Sequence, residues 1–243
     1  MSKKVEKIKY KFFHPFGPSI MYGTMPPGIF KEFKDIVTNV LEKKEEPHGN
    51  NLAGRIDDEW AVPEQYWLES DVGEFLDGIV GQYARELSDR FYTETLYNIP
   101  IDPEEESKFQ YSVHRTQGWV NSMVSGEYNP LHYHPNCNIT TVFFFNDVDE
   151  DFLTESIAST QTGTDDVLAK GRTDDGLLEI VYNTAGTLEG GTFRVRPIKG
   201  NFLIFPGNLL HVVYPFISAK ERITSSVNYI IKSSIDAINF GGR

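Results

Sequence analysis

The chain has 243 residues, 40% of them hydrophobic, which suffices for one large β domain or two small ones, and no apolar run approaches a membrane-spanning helix. Its net charge of −12 argues against broad nucleic-acid binding, which asks for a basic face. One cysteine, Cys137, excludes an internal disulfide and a thiolate metal cluster.

The start, Met1-Ser2-Lys3-Lys4-Val5-Glu6-Lys7, has positive charge but no apolar stretch behind it, so a cytoplasmic protein that does not engage membranes is expected. Residues 8–14 alternate as a strand does, and 16–22 extend or follow it. Pro26 and Pro27 suit the approach and first turn of a helix. The spacing of Ile29, Phe30, Phe33, Ile36, Val37, Val40 and Leu41 predicts that helix over about 28–44. A polar loop follows, and residues 52–66 show no clear period. A second helix is predicted over about 70–92, with Val72, Phe75, Leu76, Ile79, Val80, Tyr83 and Leu87 as its apolar stripe. Neither helix carries a catalytic cluster, so both are packing elements.

From Phe109 the texture changes to short aromatic and β-branched runs separated by turns. Strands are predicted at 109–115, 118–124, 131–134, 139–146, 177–183, 191–196, 201–205, 210–215 and 222–231. Residues 147–175 are polar and too long for an ordinary connection, which suits a lid or a surface insertion. The expected architecture is a single, mainly β domain. Residues 1–108 supply a strand and helices, and 109–231 form an antiparallel jelly-roll with the 147–175 insertion.

Strand side chains alternate with period two, so the predicted strand holding His132-Tyr133-His134 presents both imidazoles on one face. His211 follows the apolar run 202–205 and a Pro206-Gly207 turn. Arg222, Thr224 and Ser226 share one face of the last strand. Three histidines and a strand-borne arginine make a metal site with an anion receptor. The bland alternatives are half-exposed strand histidines and a surface ion pair between Arg222 and Glu221. His14, His48 and His114 read as structural or surface residues.

His132-x-His134, Phe205-Pro206-x4-His211 and Arg222-x-Thr224 followed by Asn228, together with Trp119-Val120-Asn121, resemble the iron(II)- and 2-oxoglutarate-dependent oxygenases, in particular the prolyl-hydroxylase-like oxygenases of bacteria and phages. The resemblance covers about 109–231. It implies a cupin-like jelly-roll, the double-stranded β-helix, with Fe(II) held between its sheets and 2-oxoglutarate as cosubstrate. His132 would be the first ligand and His211 the distal histidine, with His134 in the usual carboxylate position. Arg222 would pair with the distal carboxylate of 2-oxoglutarate, and Thr224 would add a hydroxyl. The implied activity is hydroxylation of a small-molecule or peptide substrate with release of succinate and CO2.

The departure is the third ligand, because the non-haem iron triad normally contains one carboxylate. Glu127 and Asp147 are the nearest acids that could complete it from a loop. A rival reading is a non-oxygenase metal-binding cupin: Gly126-x5-His132-x-His134 and Gly200-x5-Pro206 with His211 fit much of its two motifs. That reading lacks its expected glutamate and leaves Arg222-x-Thr224 without a role. A third is a catalytically inactive β-sandwich.

Overall fold

The structure, a computed structural model, describes residues 9–13, 17–49, 54–90, 111–146, 176–183 and 191–233. The expected insertion at 147–175 lies outside the described residues, as does His14.

In chain order the elements are β1 (Lys9–Phe13), β2 (Ile20–Thr24), α1 (Pro27–Lys43), β3 (Asp58–Ala61), α2 (Glu64–Leu68) and α3 (Asp71–Arg90), then β4 (Tyr111–Met123), β5 (Asn129–His132) and β6 (Ile139–Phe144). They continue with β7 (Leu178–Val181), β8 (Thr192–Val195), β9 (Asn201–Pro206), β10 (Leu210–Val213) and β11 (Arg222–Ser233). All strands pair antiparallel, in a seven-stranded sheet of order β1-β2-β9-β6-β11-β4-β3 and a four-stranded sheet of order β5-β10-β7-β8. This is the mainly β, jelly-roll architecture expected from the sequence. Among the described residues no helix is long and apolar enough to cross a membrane.

Two apolar layers hold it together, because burying apolar area is the main favourable term in folding. Phe33, Ile36, Val37 and Val40 of α1 and Val72, Leu76, Ile79 and Tyr83 of α3 pack on Val120, Phe143, Phe202, Ile204, Val227 and Tyr229 of the large sheet. Met123, Phe144, Leu203 and Phe205 of the large sheet meet Leu178, Ile180 and Val213 of the small one. Strand β2 passes close over Phe202, where a Cβ on Gly23 would lie 2.5 Å from the ring.

Three differences from expectation have local causes. The two strands predicted at 109–115 and 118–124 are one, β4, whose apparent break is a bulge opposite Asn228 and Tyr229 with the Thr116 hydroxyl donating to the Asn228 carbonyl. Elements β3 and α2 span four and five residues, too short for a period to emerge from residues 52–66. Strand β2 runs through Gly23-Thr24, a stretch whose glycine and following prolines read as a breaker, because the edge of β9 supplies its pairing.

The register places side chains in rows across the large sheet. Phe144, Thr224, Asn121 and Glu59 stand in line on β6, β11, β4 and β3. Val142, Ser226, Trp119 and Ala61 form the neighbouring row. Residues directly opposite across antiparallel strands share a face, and here that face looks onto the small sheet.

Candidate metal centre

His132 on β5 lies directly opposite His211 on β10, so adjacent strands of the small sheet bring their rings to 4.1 Å between centroids. His134 reaches the cluster differently. Strand β5 ends at His132, so the alternation expected over 131–134 does not carry it. Its backbone N–H instead donates to the Gly207 carbonyl at 2.8 Å, and the Gly207 N–H donates to the Asn138 carbonyl at 2.9 Å. That clasp leaves no room for a side chain, since a Cβ on Gly207 would lie 2.5 Å from the Cys137 sulfur and 2.9 Å from its carbonyl. The His134 ring then stacks on Trp119 and lies nearly parallel to His211, with Nε2 to Nε2 at 3.2 Å.

One nitrogen from each ring lies within 4.8 Å of the others. Ligands held at about 2.1 Å from one ion stand about 3 Å apart, so small ring movements would close the set. His132 Nδ1 donates to the Pro130 carbonyl at 2.6 Å and His211 Nδ1 to the Leu209 carbonyl at 2.8 Å. A carbonyl only accepts, so both rings carry their proton on Nδ1 and turn the Nε2 lone pair inward. Burial lowers the basicity of all three: His132 moderately, His134 to about 4 with help from His132 and His48, and His211 well below the usual range. They are neutral at neutral pH, which is the form that ligates. Imidazole donors of this kind suit iron, zinc, copper and nickel.

His134 has a further partner. Asn228 Nδ2 lies 3.3 Å from its Nδ1, while Asn228 Oδ1 is buried without a partner. Amide oxygen and nitrogen are told apart only by their hydrogen bonds. Turning the amide over would satisfy the stranded oxygen with the Nδ1 proton and free Nε2 for an ion.

Of the acids considered as substitutes, Glu127 does not join the cluster. Both carboxylate oxygens of Glu127 are engaged, accepting from the backbone N–H groups of Asp57 at 2.9 Å and Val124 at 2.7 Å. Asp147 lies outside the described residues.

The histidines open into a cavity whose walls include Arg222, Thr224, Ser226, Asn121, Asn129 and Trp119. Arg222 is 1% exposed. Its Nε donates to the Gly176 carbonyl at 3.1 Å, one terminal nitrogen lies 3.6 Å from the Met123 sulfur, and the guanidinium stands over Phe144. Its other terminal nitrogen has no partner, and no carboxylate among the described residues pairs with it. Glu221, the expected surface partner, instead accepts from the Ser122 hydroxyl at 2.8 Å. Burial pulls the guanidinium down to about 10, which leaves it charged at neutral pH. A buried cation of this kind calls for an anion that the described residues do not supply, which a dicarboxylate fits.

Sequence reasoning passed over Glu59 and Asn129, both buried on this side of the molecule. The one available signal was the acidic run Asp57-Asp58-Glu59 set between Ile56 and Trp60. His114 is exposed, as expected. His48 is buried and stacked on Trp119 at 4.8 Å, so it packs rather than faces solvent.

No curated protein matches this chain in sequence. Residues 117–228 match the family model described as "Putative 2OG-Fe(II) oxygenase". Among solved structures, the chain is similar to a Pseudomonas putida prolyl-4-hydroxylase at 12% identity and a TM-score of 0.51, over 87% of this chain and 92% of that one. It is also similar to a prolyl hydroxylase from Trichoplax adhaerens, solved with a hypoxia inducible factor oxygen degradation domain peptide fragment. There the identity is 16% and the TM-score 0.50, over 88% of this chain and 83% of that one. At such identities the likeness is one of fold.

Proposed function

We propose, for a chain whose residues 117–228 match the 2OG-Fe(II) oxygenase family model, that it is such an oxygenase, that His132, His134 and His211 hold the iron and that Arg222 and Thr224 hold 2-oxoglutarate. The observation that carries this reading is Arg222, a buried cation without an anion in the same cavity as three neutral imidazoles. A metal-binding cupin gives that arginine no task.

Iron(II) with 2-oxoglutarate and dioxygen supplies a two-electron oxidation that hydroxylates a substrate and releases succinate and CO2. The residues of this chain bind, orient and shield. Pro130 and Leu209 fix two rings through their Nδ1 protons, and Asn228 orients the third. The Arg222 fork, with one arm fixed on Gly176, offers its free nitrogen to a planar carboxylate. Thr224, one position along the same strand face, lines the cavity beside it. Phe144, Met123 and Leu178 surround this end and keep water from it. The substrate is a small molecule or a peptide, and the acidic chain with its single cysteine supports a cytoplasmic setting.

The test is anaerobic titration of iron(II) and then 2-oxoglutarate, followed by admission of oxygen without added substrate. The reading expects a metal-to-ligand charge-transfer band and slow succinate release. A protein that binds iron but shows neither is a cupin of another kind.

A further inference from the structure

The cavity face of the large sheet continues past Thr224 through Asn121 to Glu59, and the last two carry polar atoms with no partner among the described residues. Glu59 is 3% exposed, its Oε1 is buried with no hydrogen bond, and no described residue forms an ion pair with it. Asn121 and Asn129 are 8% and 7% exposed, each with a buried Oδ1 that has no partner. The Nε1 of Trp119 and the Nε2 of His48, stacked beside this row, are unpartnered too. Buried polar groups are ordinarily hydrogen-bonded, and a concentration of exceptions marks where a ligand or water belongs.

The placement is geometric. Glu59 stands opposite Asn121, and Asn121 opposite Thr224. Two strand spacings therefore put Glu59 about 10 Å across the sheet from Thr224. Two glycines leave room around these side chains, since a Cβ on Gly49 would lie 2.9 Å from Glu59 Oε2 and one on Gly54 would lie 3.2 Å from Asn129 Oδ1. The cavity thus has an unpaired cation at one end and an unpaired acid beyond the other. The acid has no part in holding metal or cosubstrate.

Resting on the function proposed above, we propose that Glu59, Asn121 and Asn129 form the primary-substrate subsite and that it takes a cationic nitrogen group, an ammonium or a guanidinium. A cation is favoured over a neutral amide because only an opposite charge offsets the cost of a buried carboxylate. The side-chain carbonyls of the two asparagines accept the remaining N–H groups, which suits a donor with several protons in a fixed fork. The net charge of −12 draws the same class of substrate toward the protein. The cation can belong to a free amino acid or amine, or to a side chain within a peptide.

The experiment uses the full chain loaded anaerobically with iron(II) and 2-oxoglutarate. Arginine, citrulline, lysine and Nε-acetyl-lysine are titrated calorimetrically, each free and within a short, otherwise neutral peptide. The cationic member of each pair should bind about ten- to a hundredfold more tightly than its neutral counterpart. The stronger of the free and peptide series identifies the source. Glu59→Gln should abolish the preference while retaining the charge-transfer band that reports iron and 2-oxoglutarate. Equal binding of charged and neutral members, binding by none, or a preference that survives Glu59→Gln overturns the proposal. Should the band itself never form, the proposed function falls, and the same titrations on the metal-free protein still decide Glu59.

Discussion

The large sheet carries an arginine on each face, one half-buried and one buried, and the two live differently. Arg115 faces the helices. Its fork rests on Asp77 of α3 at 3.2 and 2.7 Å, with Glu64 at 4.0 Å and the Trp67 ring under the guanidinium. Arg222 faces the small sheet, is the more deeply buried, and among the described residues has a carbonyl, a sulfur and a ring but no anion. The same contrast holds for the faces as wholes. The helix face is closed by hydrocarbon and by an arginine paired with acids, one of whose terminal nitrogens alone lacks a hydrogen bond, whereas the cavity face carries Arg222, Glu59, Asn121 and Asn228 with stranded polar atoms. A chain keeps unpaired polar groups in its interior at a cost in stability. The cavity face is therefore organised for something that binds, and the helix face for folding.

The largest effect that tests this contrast is removal of a ligand. His211→Ala should weaken iron(II) binding by more than about a hundredfold, beyond the range ordinarily seen for groups that merely support a ligand, as measured by anaerobic calorimetry. His134→Ala should behave similarly, and retention of full affinity by that variant would assign the third position elsewhere.

Next comes exchange of the two arginines' fates. Arg222→Ala should lower 2-oxoglutarate affinity about ten- to a hundredfold, read from the charge-transfer band, with iron affinity nearly intact. Arg222→Lys should recover only part of it, because an ammonium lacks the planar fork. Arg115→Ala should leave 2-oxoglutarate binding unchanged and cost about 1–2 kcal/mol of stability, since Asp77 is partly exposed and solvent screens the pair. Equal effects of the two alanines on 2-oxoglutarate would erase the distinction between the faces.

A smaller effect is expected at Asn228. Asn228→Ala leaves the three imidazoles in place but removes the amide that orients His134. Iron affinity should fall about tenfold without loss of 2-oxoglutarate affinity in the iron-saturated protein.

The smallest effect is thermodynamic and concerns Glu59. Burial, with Glu127 nearby, raises its carboxyl from the usual 4.5 to about 7. Between those values the folded chain holds a proton that the unfolded chain has released. This contribution to stability is therefore full below pH 4.5 and lost as the pH rises through 7. Glu59→Gln should match the parent near pH 4 and exceed it above pH 7.5 by on the order of 1 kcal/mol, measured by denaturant unfolding without ligands.

Much of this molecule was legible in local patterns. The spacing of Phe33, Ile36, Val37 and Val40 announced α1, and β-branched and aromatic runs announced the strands, because period and propensity are properties of neighbours in sequence. His132 and His211 could be singled out for the same reason, as histidines set in strands with turns beside them. What the sequence could not decide depends on chain brought together from afar. His134 owes its position to a backbone clasp on Gly207, 73 residues away, and not to the alternation of its own strand. Arg115 and Arg222 are alike as letters on strands, and only the register of β4 and β11, with α3 on one side and β10 on the other, makes one a structural pair and the other an unanswered charge. Glu59 sat in a stretch without a period, and pairing with β4 put it on the same face as Asn121. Hydrophobic periodicity fixes which elements form, because burial acts on each element's own face. Partnership of polar groups is settled by tertiary structure, because a hydrogen bond or ion pair needs two groups within about 3 Å, a condition that sequence spacing alone does not set.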